Sequence, residues 1–374
     1  MHSIERCPVC DAADSTPVCE FNRFILRQEV EARDQARYDY ALCHGCGLLY
    51  ATRRPVGSTF TDLLHNFNES LGRAVPDENL LLYPGPLTDA HRAQIREAAE
   101  QRRAGGGLAD GGWLPAPVED RMASAPLVEL LASVGDLRAA RVLEIRPKTG
   151  GLLDALRRRF GAEPYAMPIF ESQAAAIEGV YGIPTSELID FEQFDIPFDG
   201  EFDVIVSKHM FTHVLDPAAF FATLRSRLRP GGLLLLHAEP NDRHAMDRRK
   251  SLFATMNPFH MQAFDPPTLE RCLRRFGFEP EYSGKLNDNL LCLARLDPAA
   301  RFEPIAPAEL RDRIDGYERW RLFSILSLPE SSREPYKREW RDLERTAVER
   351  GEAARDKLGR VTVLKPGKKS KVAA

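Results

Sequence analysis

The chain has 374 residues, of which 43% are hydrophobic and 28% charged, enough for two or three domains with apolar cores. A formal net charge of −4 argues against a nucleic-acid partner, and no apolar run approaches the roughly 20 residues that cross a bilayer. The N-terminal MHSIERCPVC lacks the basic-then-apolar pattern of a secretory signal, so a cytoplasmic protein without membrane contact is expected.

Residues 1–55 form the first module. Its CPVC and CHGC motifs set Cys7, Cys10, Cys43 and Cys46 as two thiolate pairs. Two such knuckles can bend around one ion and supply the four tetrahedral sulfurs of a structural zinc. An odd total of seven cysteines argues against a disulfide framework. Gly45 and Gly47 permit the turn that aims backbone amides at the sulfurs, and His44 reads as a turn residue, a substitute ligand being its other role. With four protein ligands the metal stabilises rather than catalyses. Cys19, Cys272 and Cys292 are expected as small buried apolar residues.

Residues 56–137 read as a helical connector. LTDAHRAQIREAAEQRR is its clearest helix, capped by Thr88 or Asp89; AGGGLADGGWLPAP is a loop, and VEDRMASAPLVELLASVG a second helix. From 138 to 296 strands and helices alternate: ARVLEI, GGLLDALRRRF, EPYAMPI, ESQAAAIEGVYG, FDVIVS, PAAFFATLRSRL, GGLLLLHAE, PPTLERCLRRFG, then the strands FEPEYSG and NLLCLARL. Short apolar strands between amphipathic helices predict an α/β fold, a doubly wound and mostly parallel sheet covered on both faces. Residues 297–374 carry helical stretches around 308–328 and 332–358 and a solvated basic tail, KPGKKSKVAA; these C-terminal helices and lysines offer a surface for a protein partner.

The stretch FDVIVSKHMFTHVLDPAAFFATLRSRLRPGGLLLLHAEPN resembles the second half of class I S-adenosylmethionine (SAM)-dependent methyltransferases, and NPFHMQAFDPPTLERCLRRFGFEPEY resembles their next segment. The N-terminal CPVC…CHGCGLLY is similar to the zinc module fused to many of these enzymes, including sugar C-methyltransferases. The resemblance implies a Rossmann-like domain, SAM as cofactor, and a small-molecule acceptor, a sugar or sugar nucleotide among the candidates.

It also implies an E-x-G-x-G-x-G loop after the first strand of that domain. In RVLEIRPKTGG, Glu144 matches the acid and Gly150 the last glycine, with Gly151 following, while Arg146 and Lys148 replace the first two glycines and Pro147 removes an amide donor. Pro168 falls where an acid ending the second strand would hold ribose hydroxyls; Glu171 comes three residues later. Three readings are open. SAM binds in a modified way, with Arg146 or Lys148 on its carboxylate and the helix start at Gly150–Gly151 adding positive potential. Another anionic ligand, such as a nucleotide sugar, uses the same basic loop. Or the protein is a non-catalytic methyltransferase-fold scaffold.

Methyl transfer from a sulfonium needs alignment of the nucleophile and, for a hydroxyl or acidic carbon, removal of a proton, for which histidine is suited. His209 and His213 follow the fourth strand, His213 matching the E-H turn of the family with Thr212 in place of the acid; His260 matches a histidine near the acceptor pocket. His237, inside a strand, reads as core. Glu239 and Asn241 end that strand where a ligand would lie, and Tyr282 and Met256 read as core.

Overall fold

The computed structural model describes residues 2–22, 37–54, 87–104, 118–191, 193–238, 260–286, 289–327, 337–351, 353–355 and 361–363. The glycine-rich loop over 105–117, the stretch 56–86, Glu239, Asn241, Met256 and the basic tail lie outside them. Two compact units divide the chain. The first joins Met1–Arg54, Pro240–Thr268 and Glu303–Ala374; the second joins Pro55–Glu239 and Leu269–Phe302. Among the described residues no helix is long and apolar enough to cross a membrane.

Numbered along the chain, the first elements are β1 His2–Ser3, β2 Ser15–Asn22, β3 Arg37–Cys43, β4 Leu49–Ala51 and β5 Arg53–Arg54. Then come α1 Asp89–Arg103, α2 Val118–Val134, β6 Arg141–Ile145, α3 Gly151–Phe160, β7 Glu163–Met167 and α4 Glu171–Ala176. There follow β8 Phe202–Lys208, α5 Pro217–Arg227, β9 Leu228–Ala238, β10 Gln262–Ala263, α6 Pro266–Arg275, β11 Phe278–Leu286 and β12 Asn289–Leu296. The C-terminal part holds α7 Pro307–Leu326, α8 Lys337–Glu349, β13 Ala353–Arg355 and β14 Val361–Val363.

The second unit is built on a six-stranded sheet in the order β11-β12-β9-β8-β6-β7. The β7–β6, β6–β8 and β8–β9 pairs are parallel, and β12 runs antiparallel to both its neighbours. The period-2 alternation of strand side chains sorts the apolar residues by face. Val142, Val204, Val206, Leu233 and Leu235 lie in one buried cluster with Leu127 and Leu131 of α2, Leu152, Leu153 and Leu156 of α3, and Ala176 of α4. Ile205, Leu234 and Leu236 alternate with them and are equally buried. Beside β9 packs α5, whose Phe221 stacks on Phe276 at 4.8 Å between ring centroids. Burying each such ring contributes about 2 kcal/mol of apolar transfer energy.

Local chemistry sets the boundaries. Thr88 caps α1, its hydroxyl accepting from the His91 amide at 3.2 Å while the His91 ring accepts from the Thr88 amide at 3.3 Å. Asp216 caps α5 by accepting from the Ala219 amide at 3.0 Å, with Pro217 as the first helical residue. The R-P-G-G segment is an irregularity inside β9 rather than a turn before it: the register jumps from Phe202 opposite Leu228 to Val204 opposite Leu233. The ESQAAAIEGVYG helix widens late, α4 passing into a π turn over Ile177–Tyr181.

The first unit carries a sheet in the order β10-β4-β3-β2, in which Gln262 pairs with Tyr50 and Ala263 with Leu49. Helix α7 lies on β2 and is held through buried Arg313, whose guanidinium meets Asp265 at 2.9 Å, donates to the Thr268 hydroxyl at 2.9 Å, and donates to the Gly47 carbonyl at 3.2 Å. The helical stretch expected over 332–358 is shorter than that. Helix α8 ends at Glu349, Gly351 takes φ 70°, and β13 pairs antiparallel with β14. Tyr282, expected in the core, is 40% exposed, because β11 is the edge strand and its register slips between Pro280 and Tyr282. Cys272 and Cys292 are buried as expected.

Gly150 has φ 71°, and a Cβ there would stand 3.1 Å from Ile177 and 3.3 Å from Tyr181. Gly150→Ala is therefore expected to destabilise the second unit by about 1–3 kcal/mol, measured by urea unfolding, since it joins backbone strain to crowding. An unchanged midpoint would contradict this packing.

Candidate functional site

The carboxyl ends of β6 and β8 come together in the second unit, at the sheet edge where open α/β folds bind ligands. The parallel register sets Glu144 beside Val206, so Lys208, two residues on and on the same face, reaches back to the carboxylate. Its amine lies 2.6 Å from Glu144, and both side chains are almost wholly buried, at 7% and 0% exposure. His237 of β9 is the register partner of Lys208. Three polar residues of adjacent strands thus meet at one end of an otherwise apolar face.

The loop after β6 turns sharply. Arg146 sits at φ 60° in the left-handed region, its amide donating to the Met167 carbonyl at 2.9 Å. The first replaced glycine thus occupies a conformation that glycine adopts freely and arginine at a cost of about 1 kcal/mol or more. Lys148 donates its amide to Arg146 O at 3.0 Å, and Gly150, also left-handed, caps α3 ahead of Gly151. The Thr149 hydroxyl accepts from the Gly151 amide at 3.1 Å. Arg146 extends its guanidinium to the carbonyl of His209. His209 is itself left-handed at φ 50°, and its amide donates to the His237 carbonyl at 2.6 Å. The two imidazoles meet edge to face with 5.0 Å between centroids.

Burial pushes the His237 pKa down to about 3, assisted by the nearby His209, Lys208 and Lys148 charges. His237 is in the core, as the sequence suggested, but as a neutral imidazole in a positive field. The hydroxyls of Ser207 and Thr212, both buried, have no hydrogen-bond partner among the described residues.

The remaining sequence candidates fall elsewhere. His213 is buried, its amide donating to Met210 O at 2.9 Å and its ring set edge-on to Phe191 at 6.4 Å. His260 belongs to the first unit, where its carbonyl accepts from the Tyr40 hydroxyl at 2.8 Å. No carboxylate ends β7: Pro168 follows Met167, Glu171 is exposed on α4, and Gln173 accepts from the Ile169 amide at 3.2 Å. Lys208 was missed in the sequence. Its one visible signal is a lysine closing the apolar run VIVS.

In the first unit the Sγ atoms of Cys7, Cys10, Cys43 and Cys46 all lie within 4.8 Å of one another, with Cys7–Cys46 at 3.6 Å and Cys10–Cys43 at 3.4 Å. Tetrahedral zinc–thiolate bonding needs sulfurs about 3.8 Å apart, so the set fits such an ion. The Gly45 amide donates to Cys43 Sγ at 3.2 Å, and hydrogen bonds from neighbouring thiols, Cys10 first, hold the Cys43 thiol far below its ordinary range. His44 turns away to the Thr16 hydroxyl at 2.8 Å.

Because the folded pKa of His237 is depressed, the unfolded chain binds the extra proton between about pH 6.5 and 3, and stability falls as pH falls through that window. His237→Asn is expected to remove this part of the acid slope, up to about 1.4 kcal/mol per pH unit, in urea titrations at stepped pH. Identical slopes for both proteins would refute it.

A sequence profile described as a methyltransferase domain matches residues 118–283. Trans-aconitate 2-methyltransferase of Deinococcus radiodurans is 31% identical over 140 residues, 37% of this chain and 52% of that protein. Ubiquinone biosynthesis O-methyltransferase of Xanthomonas campestris pv. campestris is 30% identical over 105 residues, 27% of this chain and 43% of that protein. The matches thus span about half the length of these curated relatives. Magnesium protoporphyrin IX methyltransferase of Synechocystis PCC 6803, solved with S-adenosylhomocysteine, aligns with a TM-score of 0.40 at 15% identity, over 63% of this chain and 99% of that one. The profile match and the strand order agree: residues 118–283 match a methyltransferase-domain profile, and the sheet they build has the class I, Rossmann-like fold.

Proposed function

We propose that the chain is a SAM-dependent methyltransferase acting on a small molecule, with a structural zinc ion in its N-terminal module. The observation that carries this reading is the charged cluster of Glu144, Arg146, Lys148, Lys208, His209 and His237 at the ligand edge of a methyltransferase domain. The residues suit one end of the cofactor well. Arg146 and Lys148 are cations for its carboxylate, and the start of α3 at Gly150–Gly151 adds favourable potential for an anion. The ribose end has no carboxylate after β7, so the buried hydroxyls of Ser207 and Thr212 are the polar groups left for it on the described edge.

When bound, the cofactor supplies an activated methyl group; the chain supplies alignment and a proton acceptor. We assign proton removal to His209 and a packing role to His213, whose ring is enclosed beside Phe191. The acceptor we favour is a sugar or sugar nucleotide, a reading supported by the resemblance of the CxxC…CxxC module to that of sugar C-methyltransferases. The curated relatives are named for trans-aconitate and for ubiquinone biosynthesis, which also supports a small-molecule acceptor. Helix α7 uses its buried face on β2 of its own unit, so its first role is cohesion.

Calorimetry of the full chain with SAM and S-adenosylhomocysteine tests the cofactor reading. Saturable binding is expected, and Arg146→Gly with Lys148→Gly should weaken it about tenfold or more, the loss of a charge-assisted contact. No binding at millimolar cofactor would overturn the reading in favour of a non-catalytic scaffold.

Elemental analysis of unchelated protein is expected to find about one zinc per chain, lost together with thermal stability in Cys43→Ser. Less than about half an equivalent would refute the four-thiolate site.

A further inference from the structure

Helix α7 crosses the sheet of the first unit like a beam held at two points. Near its start Arg313 donates to the Gly47 carbonyl and the Thr268 hydroxyl. About two turns on, Arg321 donates to the Val18 carbonyl of β2. At 1.5 Å per residue these anchors stand about 12 Å apart along the helix. Between them Ile314, Tyr317 and Glu318 share one face, at the i, i+3 and i+4 spacing of neighbouring side chains. Under that face lies a cavity of about 460 Å³, walled by β2 and β3 on one side and by α7 with Leu343 of α8 on the other. Protein interiors pack at crystal density and leave few voids larger than a water. A space of this size falls in the range of small-molecule sites, roughly 300–1,000 Å³.

The chemistry of the walls selects the occupant. Val18, Leu42, Ile314 and Leu343 supply apolar surface, and Tyr317 adds a ring backed by Trp320 at 6.2 Å between centroids. The charged groups on the described walls are matched from within the protein. Glu318 accepts from Arg350 at 2.7 Å, Asp39 lies 4.0 Å from Arg53, and Arg321 is engaged on Val18. An ion entering here would lose hydration without gaining an opposite charge of its own. The hydroxyls offer more. Thr52 donates to the Asp39 carbonyl at 3.0 Å, and Thr16 shares a hydrogen bond of 2.8 Å with the His44 ring. A hydroxyl oxygen engaged in this way keeps acceptor capacity for a further donor.

We propose that this cavity is a binding site for an uncharged ring compound bearing a hydroxyl group. The ring lies against Tyr317 and the apolar wall, and the hydroxyl donates to a threonine or carboxylate oxygen. All described wall residues belong to the first unit, so the site stands independently of the methyltransferase reading.

Benzyl alcohol, benzoate and benzylamine share one ring and differ in charge; each is titrated into the full chain and followed by the NMR signals of its methyl groups. Benzyl alcohol is expected to bind saturably at roughly millimolar concentration, as suits a probe of about eight non-hydrogen atoms. The methyls of Val18, Ile314 and Leu343 should shift, while those of Leu153 and Leu156 in the second unit stay in place. Benzoate and benzylamine should bind at least about tenfold more weakly. Ile314→Trp should fill the cavity and abolish binding, with an unchanged or raised melting temperature. If that variant fails to fold, the methyl shifts of the unaltered protein decide alone. The proposal is overturned if benzyl alcohol gives no saturable shift up to its solubility limit, or if the shifts spread over both units. Equal or tighter binding of a charged probe, or undiminished binding to folded Ile314→Trp, overturns it as well.

Discussion

Two charges buried at the end of a parallel sheet must be paired, and the pairing of Glu144 with Lys208 constrains what surrounds it. Removing either partner would strand the other in a low-dielectric interior, a loss of several kcal/mol. The pair can form only if β6 and β8 keep their register, with Glu144 beside Val206. That register in turn brings the left-handed residues after the two strands within reach of each other, so that Arg146 bonds His209. A slip of one residue would turn Lys208 to the opposite face and dismantle the cluster. The apolar cluster below it, Val142, Val204, Val206 and Leu235 against α2 and α3, supplies the rigidity that such a charged edge requires.

The first unit is organised around a different buried charge. Arg313 on α7 binds Asp265 and Thr268 and the carbonyl of Gly47, the residue after Cys46. A single guanidinium therefore ties the second cysteine knuckle, the segment that begins at His260, and the C-terminal helix into one body. Gly47 is at φ 76° and would bring a Cβ to 2.7 Å from Ile305, so the knuckle's turn and the docking of α7 depend on the same glycine.

Much of this was legible in the sequence, and the exceptions share a cause. The runs VLEI and VIVS announced their strands, Thr88 the start of its helix, and the two CxxC motifs their cluster, because each signal lies within a few neighbouring residues. The Glu144–Lys208 pair was not legible, since it depends on which strands lie side by side. Nor was the charge environment of His237, whose place in the core was expected but whose cationic neighbours come from the end of β8 and the loops after β6 and β8. Tyr282 was expected in the core as a large aromatic, and is exposed by its strand's place at the sheet edge. The hairpin of β13 and β14 was lost in the helical bias of the residues before it.

The first unit is discontinuous in sequence: its three pieces are separated by the two stretches of the second unit, Pro55–Glu239 and Leu269–Phe302. The bond from Arg313 to Gly47 closes a loop of 266 residues. During synthesis the four cysteines leave the ribosome long before the helix that packs over them exists. At about 5–20 residues per second, that interval lasts some tens of seconds. For that time the nascent chain presents a half-built thiol cluster to whatever metals and oxidants surround it, and an early ion would serve as a placeholder for contacts that arrive last. If the four thiolates hold an ion, a chain ordered this way lets them take it before the fold is complete.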